Sequence, residues 1–121
     1  MFKQSLEAIL ERTEGALGAF IMGTDGILVE KSVKDEAAEA NLDVAAATFT
    51  SLVRNAQRAG ADVGVGSLRE MVVGYEGTCF LMRLVTSEYF FVLAMREDGI
   101  LGRGRFELRK AELELAKEFA L

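Results

Sequence analysis

Few residues of this chain are of types that do chemistry, and those few lack the spacing chemistry needs. Gly64-Val65-Gly66 and Gly102-Arg103-Gly104 offer the backbone freedom of a phosphate-cradling loop. The first precedes a strand-like segment, however, and neither has the Walker or dinucleotide-binding spacing. Arg103 and Arg105 carry the charge that could neutralise a phosphoryl-transfer transition state. Their place at the entry to a helical pattern reads instead as that of surface arginines. Neighbouring carboxylates, Asp35 with Glu36 and Glu112 with Glu114, have no convergent apolar pocket around them to set their pKa values apart, so they read as solvated faces rather than acid–base pairs. The chain has no histidine, which removes the commonest general base and the commonest zinc ligand together. Its one cysteine, Cys79, lies in an apolar strand-like run without a second cysteine to bridge to, and reads as a packed thiol rather than part of a disulfide or metal cluster. No catalytic, cofactor-binding or metal-binding residue is assigned, and the chain is expected not to be an enzyme.

Composition points the same way. With 121 residues, half of them apolar, the chain is expected to form one domain over residues 1–121 with a real core. No run of about 18 uncharged apolar residues suggests a membrane span. The first residues, Met1 to Glu7, carry charge within an amphipathic pattern and lack the apolar heart of a signal peptide, so a cytoplasmic location is expected. A net charge of −5, with Lys and Arg scattered rather than gathered, speaks against nucleic-acid binding, which relies on neutralising phosphates.

The elements follow from periodicity. Phe2, Leu6, Ile9 and Leu10 share one helical face, and Thr13-Glu14-Gly15 ends that helix. Ala16 to Met22 is almost continuously apolar, Gly23-Thr24-Asp25-Gly26 supplies a turn, and Ile27 to Val33 turns polar at Glu30, Lys31 and Ser32. That is a hairpin with a central first strand and an edge second strand. After an acidic loop, Lys34 to Ala40, a helix is predicted over Asn41–Ala59, with Asn41 and Asp43 as caps. Its stripe Leu42, Ala45, Ala46, Phe49, Val53, Ala56 and Gly60 covers the sheet. Ser67 to Tyr75, with Arg69 and Glu70, reads as a second edge strand. Thr78 to Val85 and Tyr89 to Met95 are apolar on both faces and belong in the middle. Leu101, Leu108, Ala111, Leu115 and Phe119 mark a last amphipathic helix.

If sequential strands stay neighbours and polar strands take the edges, the fold is α+β: a five-stranded, mainly antiparallel sheet in the order 2-1-5-4-3. The middle helix covers one face, and the N- and C-terminal helices share the other, a profilin-like layout. Two features are then left unburied. Ala47, Thr48, Ser51, Leu52, Asn55 and Ala59 line a second flank of the middle helix, small enough for another helix to approach closely. The strand carrying Leu68, Met71, Val73 and Tyr75 exposes an edge that no proline blunts. Pairing that edge with its copy across a twofold axis would also set the two middle helices side by side, so a homodimer through both surfaces is expected.

Gly18-Ala19-Phe20-Ile21-Met22-Gly23-Thr24-Asp25-Gly26-Ile27-Leu28-Val29, the Ala-rich middle helix, and Leu101-Gly102-Arg103-Gly104-Arg105-Phe106-Glu107-Leu108-Arg109 together resemble the Roadblock family. This is the dynein light-chain domain that includes MglB-type bacterial regulators of Ras-like GTPases, and the resemblance runs over essentially the whole chain. It implies a dimer with a continuous sheet and a paired-helix platform for a small Ras-like (MglA-type) GTPase, serving as activator or scaffold and leaving catalysis to the GTPase. On that implication Thr50, Arg54, Gln57 and Arg58, on the outer side of the middle helix, would touch the partner. Two other readings are a small-molecule sensor, which calls for a cavity of about 300 Å³ between sheet and helix, and a structural adaptor without effect on nucleotide turnover.

Overall fold

The computed structural model describes residues 2–119; of Phe119 only the backbone is described, so its expected place in the last helical stripe lies outside the described side chains. The element order is α1 (Phe2–Arg12), β1 (Ala16–Gly23), β2 (Leu28–Val33), a 3-10 turn (Glu36–Ala38), α2 (Glu39–Val63), β3 (Glu70–Gly74), β4 (Thr78–Leu84), β5 (Tyr89–Arg96) and α3 (Leu101–Phe119). The strands form one antiparallel sheet in the order β2-β1-β5-β4-β3, as the sequence predicts.

Strand alternation divides the core in two. Ala19, Ile21, Leu81, Phe91, Leu93 and Met95 meet Leu6, Ile9 and Leu10 of α1 and Leu108, Ala111 and Leu115 of α3. On the opposite face Phe20, Met22, Phe80, Met82, Leu84, Phe90, Val92 and Ala94 meet Leu42, Ala46, Phe49 and Val53 of α2. Both faces of the three inner strands are thereby buried, which is why those strands read as continuous apolar runs. Gly104 lets α3 descend onto the sheet: a Cβ there would stand 3.0 Å from Leu93 Cδ2 and from Met95 Sδ.

The middle helix is longer than its apolar stripe suggests, 25 residues or roughly 37 Å. Asn41 and Asp43 are not its caps. Asp35 caps the preceding 3-10 turn by accepting from Ala37 N at 2.9 Å, and α2 continues from that turn without a capping side chain. Asp43 instead joins Glu39 in holding Lys31 of β2, at 2.8 and 2.7 Å. These two hydrogen-bonded carboxylates push the Lys31 amine above its ordinary pKa. At the other end the helix runs past Ala59 to Gly64, whose φ of 72° supplies the left-handed residue, and Val65 N closes onto Gly60 O at 3.0 Å. Strand β3 is shorter than expected, because Ser67 to Arg69 leave the ladder except for a bond from Leu84 N to Arg69 O at 3.0 Å.

Candidate functional site

Ala47, Thr48, Ser51, Leu52, Asn55 and Ala59 all lie exposed on α2, on the side turned away from Leu42, Phe49 and Val53. The sequence reading missed the two ends of this flank: Val44 is 66% exposed and Val63 71%. Both fall on the same side at helical spacing from Thr48 and Ala59, which is the signal that could have found them. Thr48 satisfies its hydroxyl internally, donating to Val44 O at 2.8 Å, so Val44, Ala47, the Thr48 methyl, Leu52, Ala59 and Val63 give the flank an apolar character broken by the open side chains of Ser51 and Asn55.

The four residues implied as partner contacts do not stay together. Thr50 is a correction: it is 4% exposed and donates its hydroxyl to Ala46 O at 3.2 Å, inside the protein rather than on its outer side. Arg54 and Gln57 face the two turns at one end of the sheet, with Arg54 Nη1 3.5 Å from Thr24 O and Gln57 Nε2 donating to Ser87 O at 3.0 Å. Those turns are themselves tied by Thr24 N to Glu88 O at 2.8 Å. Arg58 is exposed and makes no hydrogen bond or ion pair among the described residues.

The two sheet edges differ in a way that composition does not reveal. On β2 the N–H and C=O of Lys31 point outward, since Lys34 N bonds to Leu17 O and the ladder alternates from there. Both are already used. Glu30 Oε1 accepts from Lys31 N at 3.0 Å, and Lys3 Nζ donates to Lys31 O at 2.6 Å. On β3, the bonds Leu84 N to Arg69 O and Tyr75 N to Thr78 O set the alternation. Met71 and Val73 therefore bond inward to β4, while Glu70, Val72 and Gly74 direct their backbone groups outward. No side chain among the described residues meets them.

The side chains of this edge are more committed than its backbone. Leu68, Met71 and Val73 pack onto the α2-side core. Tyr75 lies just beyond the strand, exposed, with its ring edge-on to Phe80 at 6.1 Å. Val72 faces the other side of the sheet and is partly open. Glu70 is held by Arg105 Nε at 2.9 Å.

Beside this edge, a cleft of about 810 Å³ runs between the end of α2 (Ala56, Ala59, Val63) and the chain leading into β3 (Val65, Leu68). A second, of about 890 Å³, lies between Gly60, Arg69, Arg83 and Thr86. Both open to solvent. The space between α2 and the sheet is filled by Phe20, Phe49, Phe80 and Phe90, with Phe49 and Phe80 at 4.8 Å.

The chemical candidates are occupied structurally. Arg103 binds Glu107 at 2.9 Å and Arg12 O at 3.0 Å, and Arg105 binds Glu70. Burial pushes the Cys79 thiol up, against a smaller opposing pull from Arg105. Among the described residues no three His, Cys, Asp or Glu side chains gather as a metal site, and no helix is long and apolar enough to cross a membrane.

Two of the unburied features of this three-layer α+β domain are thus surfaces, one helix flank and one strand edge, that meet at the end of α2. Comparison with solved structures gives the same class. MglC from Myxococcus xanthus is 36% identical, with 95% of this chain and 96% of that one covered and a TM-score of 0.71. A Roadblock/LC7 domain from Streptomyces avermitilis superimposes at TM-score 0.86 over 98% of both chains with 16% identity. MglB from Myxococcus xanthus does so at 0.84 with 17% identity, over 97% of this chain and 93% of that one. The latter two share the fold; the MglC likeness extends to the sequence. The chain belongs to the Roadblock/LC7 family of MglB- and MglC-like domains. No family model matches the sequence, and no curated protein does.

Proposed function

We propose that the chain forms a homodimer through the outer flank of α2 and the edge of β3, and that this dimer binds a small Ras-like GTPase as its activator or scaffold. The observation that carries the reading is the contrast between edges: on β2 the outward backbone groups of Lys31 are taken by Lys3 of α1 and by Glu30, with Val33 left open, whereas on β3 all three outward residues, Glu70, Val72 and Gly74, present their backbone unmet. Open edges are templates for pairing. Two antiparallel copies meeting near Val72 would exchange bonds among those three residues and continue the sheet. The flank from Val44 to Val63 lies beside the same edge and would be covered by its counterpart, along with the cleft at Ala59 and Leu68.

The GTPase reading draws on membership of the family and on Arg54 and Arg58, exposed on α2 next to the flank, with Gln57 at the neighbouring turns. On this reading the chain's part would be to hold the partner's mobile segments while the GTPase carries out the chemistry. The test has two arms. Light scattering should give twice the mass of the chain at micromolar concentration. GTP hydrolysis by the cognate GTPase should rise in the presence of the chain if it activates, and stay unchanged with binding intact if it is a scaffold. A partner that neither binds nor responds refutes the GTPase reading.

A further inference from the structure

The opposite face of the molecule carries a feature that the α2 flank and β3 edge leave unexplained. Along the outer side of α3, Phe106 is 55% exposed and Leu113 75%, two turns apart, and Ile100 just before the helix is 65% exposed. Phe106 and Leu113 stand about 10 Å apart on one line, opposite the buried Gly104, Leu108, Ala111 and Leu115. The line is framed by cations. Arg103 lies over the Phe106 ring at 5.3 Å, while Arg109, Lys110 and Lys117 are exposed and make no ion pair among the described residues. Ile100, Arg103 and Phe106, with Arg12, border a groove of about 520 Å³ between the end of α1 and the start of α3.

Within a chain of net charge −5, three cations without an ion pair, Arg109, Lys110 and Lys117, thus flank the exposed Phe106 and Leu113, while Glu14 at the groove and Glu114 and Glu118 on the helix lie farther round from that line. We propose that the outer face of α3 is a docking surface for an acidic amphipathic helix of a partner protein. Apolar side chains of that helix, at i, i+3 or i+4, and i+7, would seat on Ile100, Phe106 and Leu113. Its Asp and Glu would meet Arg109, Lys110 and Lys117, giving specificity and salt dependence. A narrow apolar line ending in a groove suits a helix better than a bilayer. A bilayer would also meet the whole acidic molecule, including the exposed Glu7 and Glu11 of α1.

The probe is a fluorescent peptide of about four turns with leucines on one face and glutamates beside them, compared with the same composition scrambled so that the leucines share no face. Anisotropy should show binding of the first and not the second. Amide shifts should fall on residues 100–117 and not on α2. Leu113→Glu, which alters a side chain open to solvent, should weaken binding about tenfold or more, and Lys110→Glu should weaken it and flatten its salt dependence. Absence of binding, equal binding of the scrambled peptide, or indifference to both substitutions overturns the proposal. So does sedimentation with phosphatidylcholine–phosphatidylglycerol vesicles that Leu113→Glu abolishes while the peptide stays unbound, since the face would then serve lipid. Light scattering of the same variants reads the α2 and β3 surfaces separately, so either proposal can fail alone.

Discussion

Two prolines placed one residue apart on β3 should behave in opposite ways. The N–H of Val72 points away from the sheet, whereas that of Met71 is bonded to β4, where Met71 faces Met82. Val72→Pro therefore removes no hydrogen bond from the single chain, and a proline on the solvent side of an edge strand is tolerated. In the proposed dimer each copy would lose one bond across the twofold axis. At a net 0.5–1.5 kcal/mol per bond, two bonds are worth about 1–3 kcal/mol, which raises the dissociation constant roughly 5- to 150-fold. Met71→Pro breaks the ladder inside the chain and should cost about 1–3 kcal/mol of folding stability. Sedimentation equilibrium reads the first effect and urea unfolding the second. The reasoning is refuted if Val72→Pro leaves the dimer as tight as the parent, or if the two variants lose the same folding stability.

Three further outcomes follow from the geometry. Leu52→Glu, on the exposed flank of α2, should change unfolding of the single chain by less than about 0.5 kcal/mol yet yield a monomer by light scattering. Gly104→Val should lower the thermal midpoint, since its side chain would press on Leu93 and Met95 at the seat of α3, at a cost of about 1–3 kcal/mol. The Lys31 amine is raised by hydrogen bonds to Asp43 and Glu39. Its stabilising contribution is thus complete below the unfolded value of about 10.4 and is lost as pH climbs through the higher folded value. Urea midpoints should fall in that alkaline window, and Lys31→Met should remove that part of the fall.

Strand order and the layering of helices were legible because polarity marks the edges and two-sided apolarity marks β1, β4 and β5. Boundaries were less so. The extension of α2 back to Glu39 accompanies contacts of Glu39 and Asp43 with Lys31, residues apart in sequence whose meeting only the hairpin's placement creates. Its end at Gly64 rather than near Ala59 rests on which of several glycines adopts a positive φ, and no spacing rule distinguishes Gly60 from Gly64. The α2 flank was readable from small residues at helical spacing. Thr50 was misplaced because a threonine that returns its hydroxyl to the carbonyl four residues back can be buried without a polar partner elsewhere. Met71 and Val73 were named as interface residues from strand polarity alone. Polarity says that β3 is an edge, but only the ladder says which of its residues turn their backbone outward. The exposure of Ile100, Phe106 and Leu113 was not legible because an i, i+7 apolar pair opposite a well-defined core stripe has no place in a single-faced helix.

Amide hydrogen exchange along β3 tests the central claim most directly. In the assembled protein the N–H groups of Glu70, Val72 and Gly74 should be protected together with those of Met71 and Val73, and dilution towards monomer should release only the first three. Free-chain exchange of Glu70, Val72 and Gly74 at high concentration, beside protected Met71 and Val73, would mean that the edge stays open to water and that the proposed dimer does not form.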